Sequence, residues 1–342
     1  MNGRQRFARA LAVGYAVALV AVWLALRFVG ERWWPTTIAL YLPRLGYGLP
    51  IPIVIGLLLV TSQFRTALVS LVFSTLWVVF PLMGCRVGHA ETAPANFKLM
   101  TWNTFYGRND DAAIFADFQR ESPDVFVSQA SASRTEELFR ANQPAGYFFQ
   151  RDQEFFMVSR FPVVTKYVSP PYADDHRHSG AFVRYTVQTP HGLVDVYSIH
   201  PRSPREGVEQ ARGNGFRSRL ADLGLATQSF EAISKNSALR RRQLETLQEA
   251  LLASKNPYVV AGDTNLPTSS WLYHHVFDGL GLKDAFDEVG SGLGYTFPAK
   301  RPWMRIDRVL AGDRFEFLRV RNGGGVESDH RYLATELIFS SP

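Results

Sequence analysis

Tyr258-Val259-Val260-Ala261-Gly262-Asp263-Thr264-Asn265 decides how the rest of this chain reads. A short run of β-favouring apolar residues makes a buried strand over Tyr258–Ala261. The glycine then closes it, leaving a carboxylate and an amide two residues apart at its end. Just before it, Ser237–Ser254 has helical spacing, with Leu239, Leu244, Leu247 and Leu251 on one face and Arg240, Arg241 and Arg242 largely off it. Outward from this unit, further strands read over Phe97–Trp102, Asp124–Ser128, Phe155–Val158, Ala181–Val187, Leu193–Ile199, Ile306–Leu310 and Leu333–Phe339, and a helix over Asp111–Glu121. Strands mixed with helices across residues 97–342 predict one α/β domain of sandwich type.

Several of these strands end in a polar group. Asn103 follows Leu99-Met100-Thr101-Trp102, and His200 follows Val194–Ile199. Asp307 lies within Arg305-Ile306-Asp307-Arg308, and Asp329-His330 follow Gly323-Gly324-Gly325. Strand ends deliver side chains to one edge of a sheet, where they can converge on a cleft. Taken singly, each of these residues reads as a turn or solvated position. Jointly, three carboxylates, two imidazoles and two amides suit an oxygen-seeking cation and a phosphoryl group.

The first quarter of the chain is different. Residues 1–95 carry eight arginines and only two acids, Glu31 and Glu91, whereas the 29 basic and 29 acidic side chains after residue 95 balance. The pI near 9.5 is therefore no nucleic-acid signature. The arginines flank three uncharged stretches, Ala10–Leu26, Leu45–Phe64 and Thr66–Cys85, of 17, 20 and 20 residues. A spanning helix needs about 20 apolar residues, with about 17 as the lower limit. A three-helix transmembrane region over residues 1–86 is expected, with spans at about 8–29, 45–64 and 66–85. Trp23, Trp33, Trp34, Tyr41 and Tyr47 lie near the ends as interfacial aromatics, and Pro50 and Pro52 open the second span. Residues 87–96 read as a tether, and residues 97–342 as the second domain. Arg4, Arg6 and Arg9 favour a cytoplasmic N-terminus and so an extracytoplasmic domain on a multi-pass membrane protein, although Arg27, Arg32 and Arg44 leave the positive-inside count nearly balanced. The single cysteine, Cys85, excludes a disulfide scaffold and a cysteine zinc site.

The ordered motifs resemble the endonuclease/exonuclease/phosphatase superfamily, the DNase I-like metal-dependent phosphoesterases. The segments that carry the resemblance are Thr101-Trp102-Asn103, Pro123-Asp124-Val125 leading to Gln129, Ser159-Arg160-Phe161-Pro162, Ser198-Ile199-His200, Gly262-Asp263-Thr264-Asn265, Tyr295-Thr296-Phe297-Pro298, Arg305-Ile306-Asp307 and Ser328-Asp329-His330. They follow one another in the family's order over residues 97–339. The resemblance implies a four-layer fold, two mixed β-sheets face to face with helices outside. It also implies roles. Asn103 and Asp329 lie on the side of a Mg²⁺ ion, with Mn²⁺ as a substitute. Asp263 orients or deprotonates the attacking water, and Asn265 holds that water or a phosphoryl oxygen. His200 and His330 donate to non-bridging oxygens, and Asp307 fixes the tautomer of His330.

One position departs from the family pattern: the glutamate expected directly after Gln129 is Ala130. A methyl group ligates nothing. Three explanations follow: a neutral oxygen from Gln129 or a nearby serine, an acid from elsewhere such as Glu154, or a domain that binds a phosphate-bearing ligand without cleaving it. Asp174-Asp175-His176-Arg177-His178 reads as a solvated loop bordering the site, and Arg202, Arg205, Arg212, Arg217 and Arg219 as a solvated insertion or a phosphate-facing lid. No P-loop and no nucleophile elbow occurs. The expected function is a membrane-anchored, Mg²⁺-dependent phosphoric ester hydrolase. Its expected partners are the bilayer and a phosphoester, whether lipid headgroup, nucleotide or nucleic acid, with no protein partner evident.

Overall fold

The computed structural model describes residues 1–107, 110–142, 146–172, 179–204, 223–325 and 327–340, with side chains left out at 223–229. Apolar residues at every second position build two six-stranded sheets. One runs in the order β10-β12-β9-β8-β7-β6, from Lys283–Asp284, Asp307–Ala311, Tyr258–Asp263, Gly192–Ile199, Phe182–Thr189 and Val163–Val168. The other runs β13-β14-β2-β3-β5-β4, from Phe315–Gly323, Tyr332–Phe339, Phe97–Asn103, Val125–Gln129, Phe155–Ser159 and Phe148–Asp152. The pairs β2–β3 and β8–β9 are parallel and the other pairs antiparallel, so both sheets are mixed.

The inward faces meet in one core, where Leu99, Val125 and Met157 of one sheet pack with Val183, Val196, Val259 and Val309 of the other. The outward faces are covered by helices. Met100, Trp102, Phe126 and Phe156 lie under α5 (Asp111–Glu121) and α6 (Ser133–Asn142). Tyr197, Val260 and Leu310 lie under α7 (Leu223–Leu252) and α8 (Trp271–Phe277). The result is the expected four-layer α/β sandwich of two mixed sheets. The sequence reading misses β4, β6 and β13, whose exposed or charged alternation is weak, and it starts α7 fourteen residues late.

The N-terminal quarter holds α1 (Gly3–Phe28, 26 residues) and Phe64–Leu82 (19 residues), each long and apolar enough to cross a membrane. Ahead of the middle span the chain is bent: α2 (Trp34–Leu40) and the helical stretch Arg44–Val60 meet at 98°, the geometry of a broken span or a re-entrant loop. Pro43 lacks the N–H and crowds Leu42 out of helical geometry, while Ser62 at φ 58° turns the chain before α4 (Phe64–Trp77). Pro50 and Pro52 sit at the start of α3 (Ile51–Val60), where no N–H is needed. Most large exposed apolar side chains among the described residues belong to this quarter, including Val13, Val17, Ile53, Val60, Leu68 and Val69. An apolar exterior of that extent is costly in water.

Residues 86–96 lie against the sandwich. Arg86–Val87 (β1) pair with Ser291–Gly292 (β11), Arg86 meets Asp287 at 2.8 Å, and the amide of Glu91 donates to the Leu318 carbonyl. The N-terminal helices also touch the domain directly: Arg27 pairs with Asp278 at 2.9 Å, and the Tyr295 hydroxyl donates to the Met83 carbonyl at 3.0 Å.

Candidate functional site

Asp263 ends β9 beside Asp307, its register partner on β12, so the ladder itself sets two carboxylates next to each other. Gly262 makes this approach possible. Its φ is +147°, and a Cβ there would strike the Ile199 carbonyl oxygen of the adjoining β8. His200 leaves β8 one residue further on. Asn103 ends β2 of the opposite sheet, and His330 precedes β14. The site therefore lies at the shared edge of the two sheets and is built from both.

The geometry centres on one oxygen. Asp263 Oδ2 accepts from Asn103 Nδ2 at 3.0 Å, with His200 Nε2 at 3.7 Å and His330 Nε2 at 3.6 Å. Each imidazole is held from behind by its own carboxylate. His330 Nδ1 lies 2.9 Å from Asp307 Oδ2, and His200 Nδ1 lies 3.2 Å from Glu154 Oε1. A hydrogen bond to the carboxylate keeps a proton on Nδ1 and points Nε2 inward, where it donates while the ring is charged. Asp263 Oδ1 takes the backbone N–H of Asn265, which sits at φ +53°.

All these groups are buried. Burial raises the Asp263 carboxyl above its usual range, with the His330 charge pulling against it. Burial alone would lower His330, but the Asp307 carboxylate and then Asp263 overcome it and raise the imidazole to about 9. His330 is thus a charged donor at neutral pH.

Six of the seven sequence-predicted residues are tied together by these contacts. Asn265 joins through its backbone, since its side-chain Nδ2 is committed to the Pro201 carbonyl at 3.0 Å. Asp329, beside His330 in the chain, has a buried Oδ1 with no hydrogen-bond partner among the described residues. A buried carboxylate oxygen left so is costly unless a cation meets it, and hard divalent cations take such oxygens. Asp263, Asp307 and His330 also offer ligand atoms within 4.8 Å of one another, a possible metal site.

Glu154 is the residue that single-position reading could name only as an example. It occupies the turn between β4 and β5, where Gln153 at φ 56° swings it inward. Its carboxylate takes the Tyr106 hydroxyl at 2.8 Å as well as His200. A cleft of about 510 Å³ opens there, lined by Tyr106, Ser131, Arg151 and Glu154 among others. Gln129, by contrast, turns away. Its amide donates to Ser198 Oγ at 3.0 Å and Thr101 Oγ1 at 3.2 Å, stitching the sheets together. Residues 174–178 and most of the arginine-rich stretch lie outside the described residues. Arg240, off the leucine face, is nevertheless fully buried, because α7 packs against the N-terminal helices as well as the sheet.

The family model for the endonuclease/exonuclease/phosphatase family matches residues 100–330. Solved structures show the same fold. An endonuclease/exonuclease/phosphatase from Beutenbergia cavernae is 18% identical with a TM-score of 0.50, covering 72% of each chain. A family protein from Leptotrichia buccalis is 12% identical with a TM-score of 0.51, covering 71% of this chain and 100% of its own. One from Bacteroides vulgatus is 13% identical with a TM-score of 0.50, covering 71% and 99%. No curated protein matches the chain. With its two mixed sheets, its convergent strand-end residues and a match across more than half its length, the chain belongs to the endonuclease/exonuclease/phosphatase family.

Proposed function

We propose that the chain is a membrane-anchored phosphoesterase that uses Mg²⁺, or Mn²⁺ in its place, to hydrolyse a phosphodiester or phosphomonoester beside the bilayer. The observation that carries this reading is the convergence of two carboxylate-backed imidazoles on Asp263 Oδ2. In-line hydrolysis needs a positioned water, a group to take its proton, and donors aimed at growing negative charge. Asp263 takes the first task, drawing the proton of the water as its oxygen bonds to phosphorus and the bond to the leaving oxygen breaks. His200 and His330 donate from Nε2 to the non-bridging oxygens, and the second N–H of the Asn265 amide, beyond the one given to Pro201, would hold the water or a phosphoryl oxygen. Asn103 and Asp329 would hold the cation, which would supply charge neutralisation at the phosphoryl group. Glu154 orients His200 and supplies the negative charge that Ala130 lacks.

The apolar N-terminal helices support membrane anchorage, with the domain extracytoplasmic by the arginine pattern. A charge-balanced domain is poorly equipped for tight non-specific DNA binding, which depends on neutralising phosphates. A lipid headgroup or small phosphodiester suits it at least as well as nucleic acid. The test is hydrolysis by the purified full chain in detergent, on lipid, nucleotide and oligonucleotide substrates, with and without EDTA. Activity abolished by EDTA and restored by Mg²⁺ is expected; metal-independent turnover, or none on any substrate, overturns the reading.

The titration of His330 gives a second check. Its pKa is raised from 6.5 to about 9 on folding, so the stability it contributes is fully present below about pH 6.5 and is lost as the pH rises through about 9. Turnover that needs the imidazolium falls over the same alkaline limb. A pH–rate profile that stays flat between 8 and 10 contradicts the role assigned to His330.

One observation favours a second reading, a phosphate-ligand-binding domain without catalysis: Ala130 offers no ligand and the Gln129 amide is committed elsewhere. Ala130→Glu separates the two. Turnover that arises only in that variant makes the natural chain a binder.

A further inference from the structure

We propose that the N-terminal helices hold the catalytic loop in its working conformation, with Tyr41 and Glu31 as positioning residues that couple the membrane region to Asn265. The inference rests on the phosphoesterase reading for its effect on turnover, but its structural part stands independently.

The loop from Asp263 to Leu272 is gripped from outside the domain at both ends. At one end, the Asn265 carbonyl accepts the Tyr41 hydroxyl at 3.0 Å and Arg240 Nη2 at 2.7 Å. Asn265 sits in the left-handed region, which costs free energy unless surrounding bonds impose it. Tyr41 lies at the 98° bend between α2 and Arg44, so the grip depends on how those helices meet. Arg240 is a fully buried cation whose Nε and Nη1 have no hydrogen-bond partner among the described residues, and its guanidinium lies 5.6 Å from the centre of the Tyr41 ring. An aromatic face and one carbonyl are thus its principal compensation for desolvation. The face comes from the membrane region and the carbonyl from the catalytic loop, so neither can move without unsettling Arg240.

At the other end, buried Glu31 accepts the Ser270 hydroxyl at 2.5 Å and the Leu272 amide at 3.2 Å, satisfying the first turn of α8 with a negative charge. Between these ends the chains touch closely. A Cβ on Gly30, whose φ is +48°, would lie 2.6 Å from Trp271 Cβ, and one on Gly84 would lie 3.3 Å from Thr268. Nothing in catalysis requires such contacts from a passive anchor. They follow if the helices form one wall of the catalytic apparatus, so that a shift of α2 against Arg44–Val60 is transmitted to Asn265.

The test uses the full chain in nanodiscs. Tyr41→Phe removes the hydroxyl and keeps the ring over Arg240, and Glu31→Gln keeps the shape and removes the charge. Tyr15→Phe is the control, because the Tyr15 hydroxyl donates to the Tyr47 carbonyl at 2.6 Å wholly within the N-terminal helices. Amide hydrogen exchange over residues 264–272 and steady-state hydrolysis of bis(p-nitrophenyl) phosphate with Mg²⁺ are measured for each. The Tyr41→Phe/Glu31→Gln double variant is expected to exchange about tenfold faster in that loop and to lose about tenfold in kcat, with KM and the pH profile unchanged. Tyr15→Phe is expected to change neither. Unaltered exchange in the double variant overturns the proposal, as does faster exchange with undiminished kcat, or an equal loss in the control. If the wild-type chain hydrolyses nothing, the phosphoesterase reading fails by itself, and the exchange measurement still decides whether the helices hold the loop.

Discussion

Asp263→Asn is expected to lower kcat by about 10³-fold, with KM changed far less, in hydrolysis by the full chain. The substitution is nearly isosteric and removes a charge that burial already disfavours, so the fold should tolerate it. It removes the proposed proton acceptor, however, and the Asn265 backbone amide and both imidazoles lose their anionic focus. General acid–base groups contribute roughly 10²–10⁴-fold, and this one has no neighbour able to replace it without breaking a carboxylate–imidazole pair. His330 should titrate lower as well, since Asp263 is the second of the charges that raise it. A residual kcat within about tenfold of wild type would remove Asp263 from the mechanism.

Asp307→Asn is expected to cost about 10²–10³-fold in kcat and to move the alkaline limb of the pH–rate profile downward from about 9. Asp307 is the largest influence raising His330 against its burial. An amide keeps the shape but supplies no charge, and its NH₂ can present a donor where Nδ1–H needs an acceptor. The imidazole then deprotonates at lower pH and loses its fixed orientation. This variant distinguishes positioning from bulk stability: a merely structural Asp307 would lower the melting temperature and leave the pH profile where it was.

The two carboxylate-backed imidazoles were unequally legible. Asp307 and His330 stand in the family-like motifs Arg305-Ile306-Asp307 and Ser328-Asp329-His330, and their pairing follows from that resemblance. Glu154 lies in a short β4–β5 turn with no motif of its own. Only the inward swing at Gln153 and the neighbouring strand that carries His200 bring it into the site. Gln129 shows the reverse. It sits in a matching motif next to Ala130, yet its amide is spent between the sheets, because β3 faces β8 there. Arg240 lies off the leucine face of its helix, and that leucine spacing cannot register a second packing partner from about two hundred residues earlier.

What the sequence determined by itself was the arrangement that depends on local pattern. Alternating apolar residues made strands, glycine and polar residues ended them, and uncharged 20-residue stretches made apolar helices. Tertiary structure alone decided which strand ends meet on Asp263 Oδ2, that Glu154 backs His200, and that Tyr41 and Glu31 reach across to the loop bearing Asn265. The physical reason is separation. Periodicity and turn chemistry act over a few residues, whereas these contacts join groups from 46 to 241 positions apart, and only packing of sheets and helices brings such groups together.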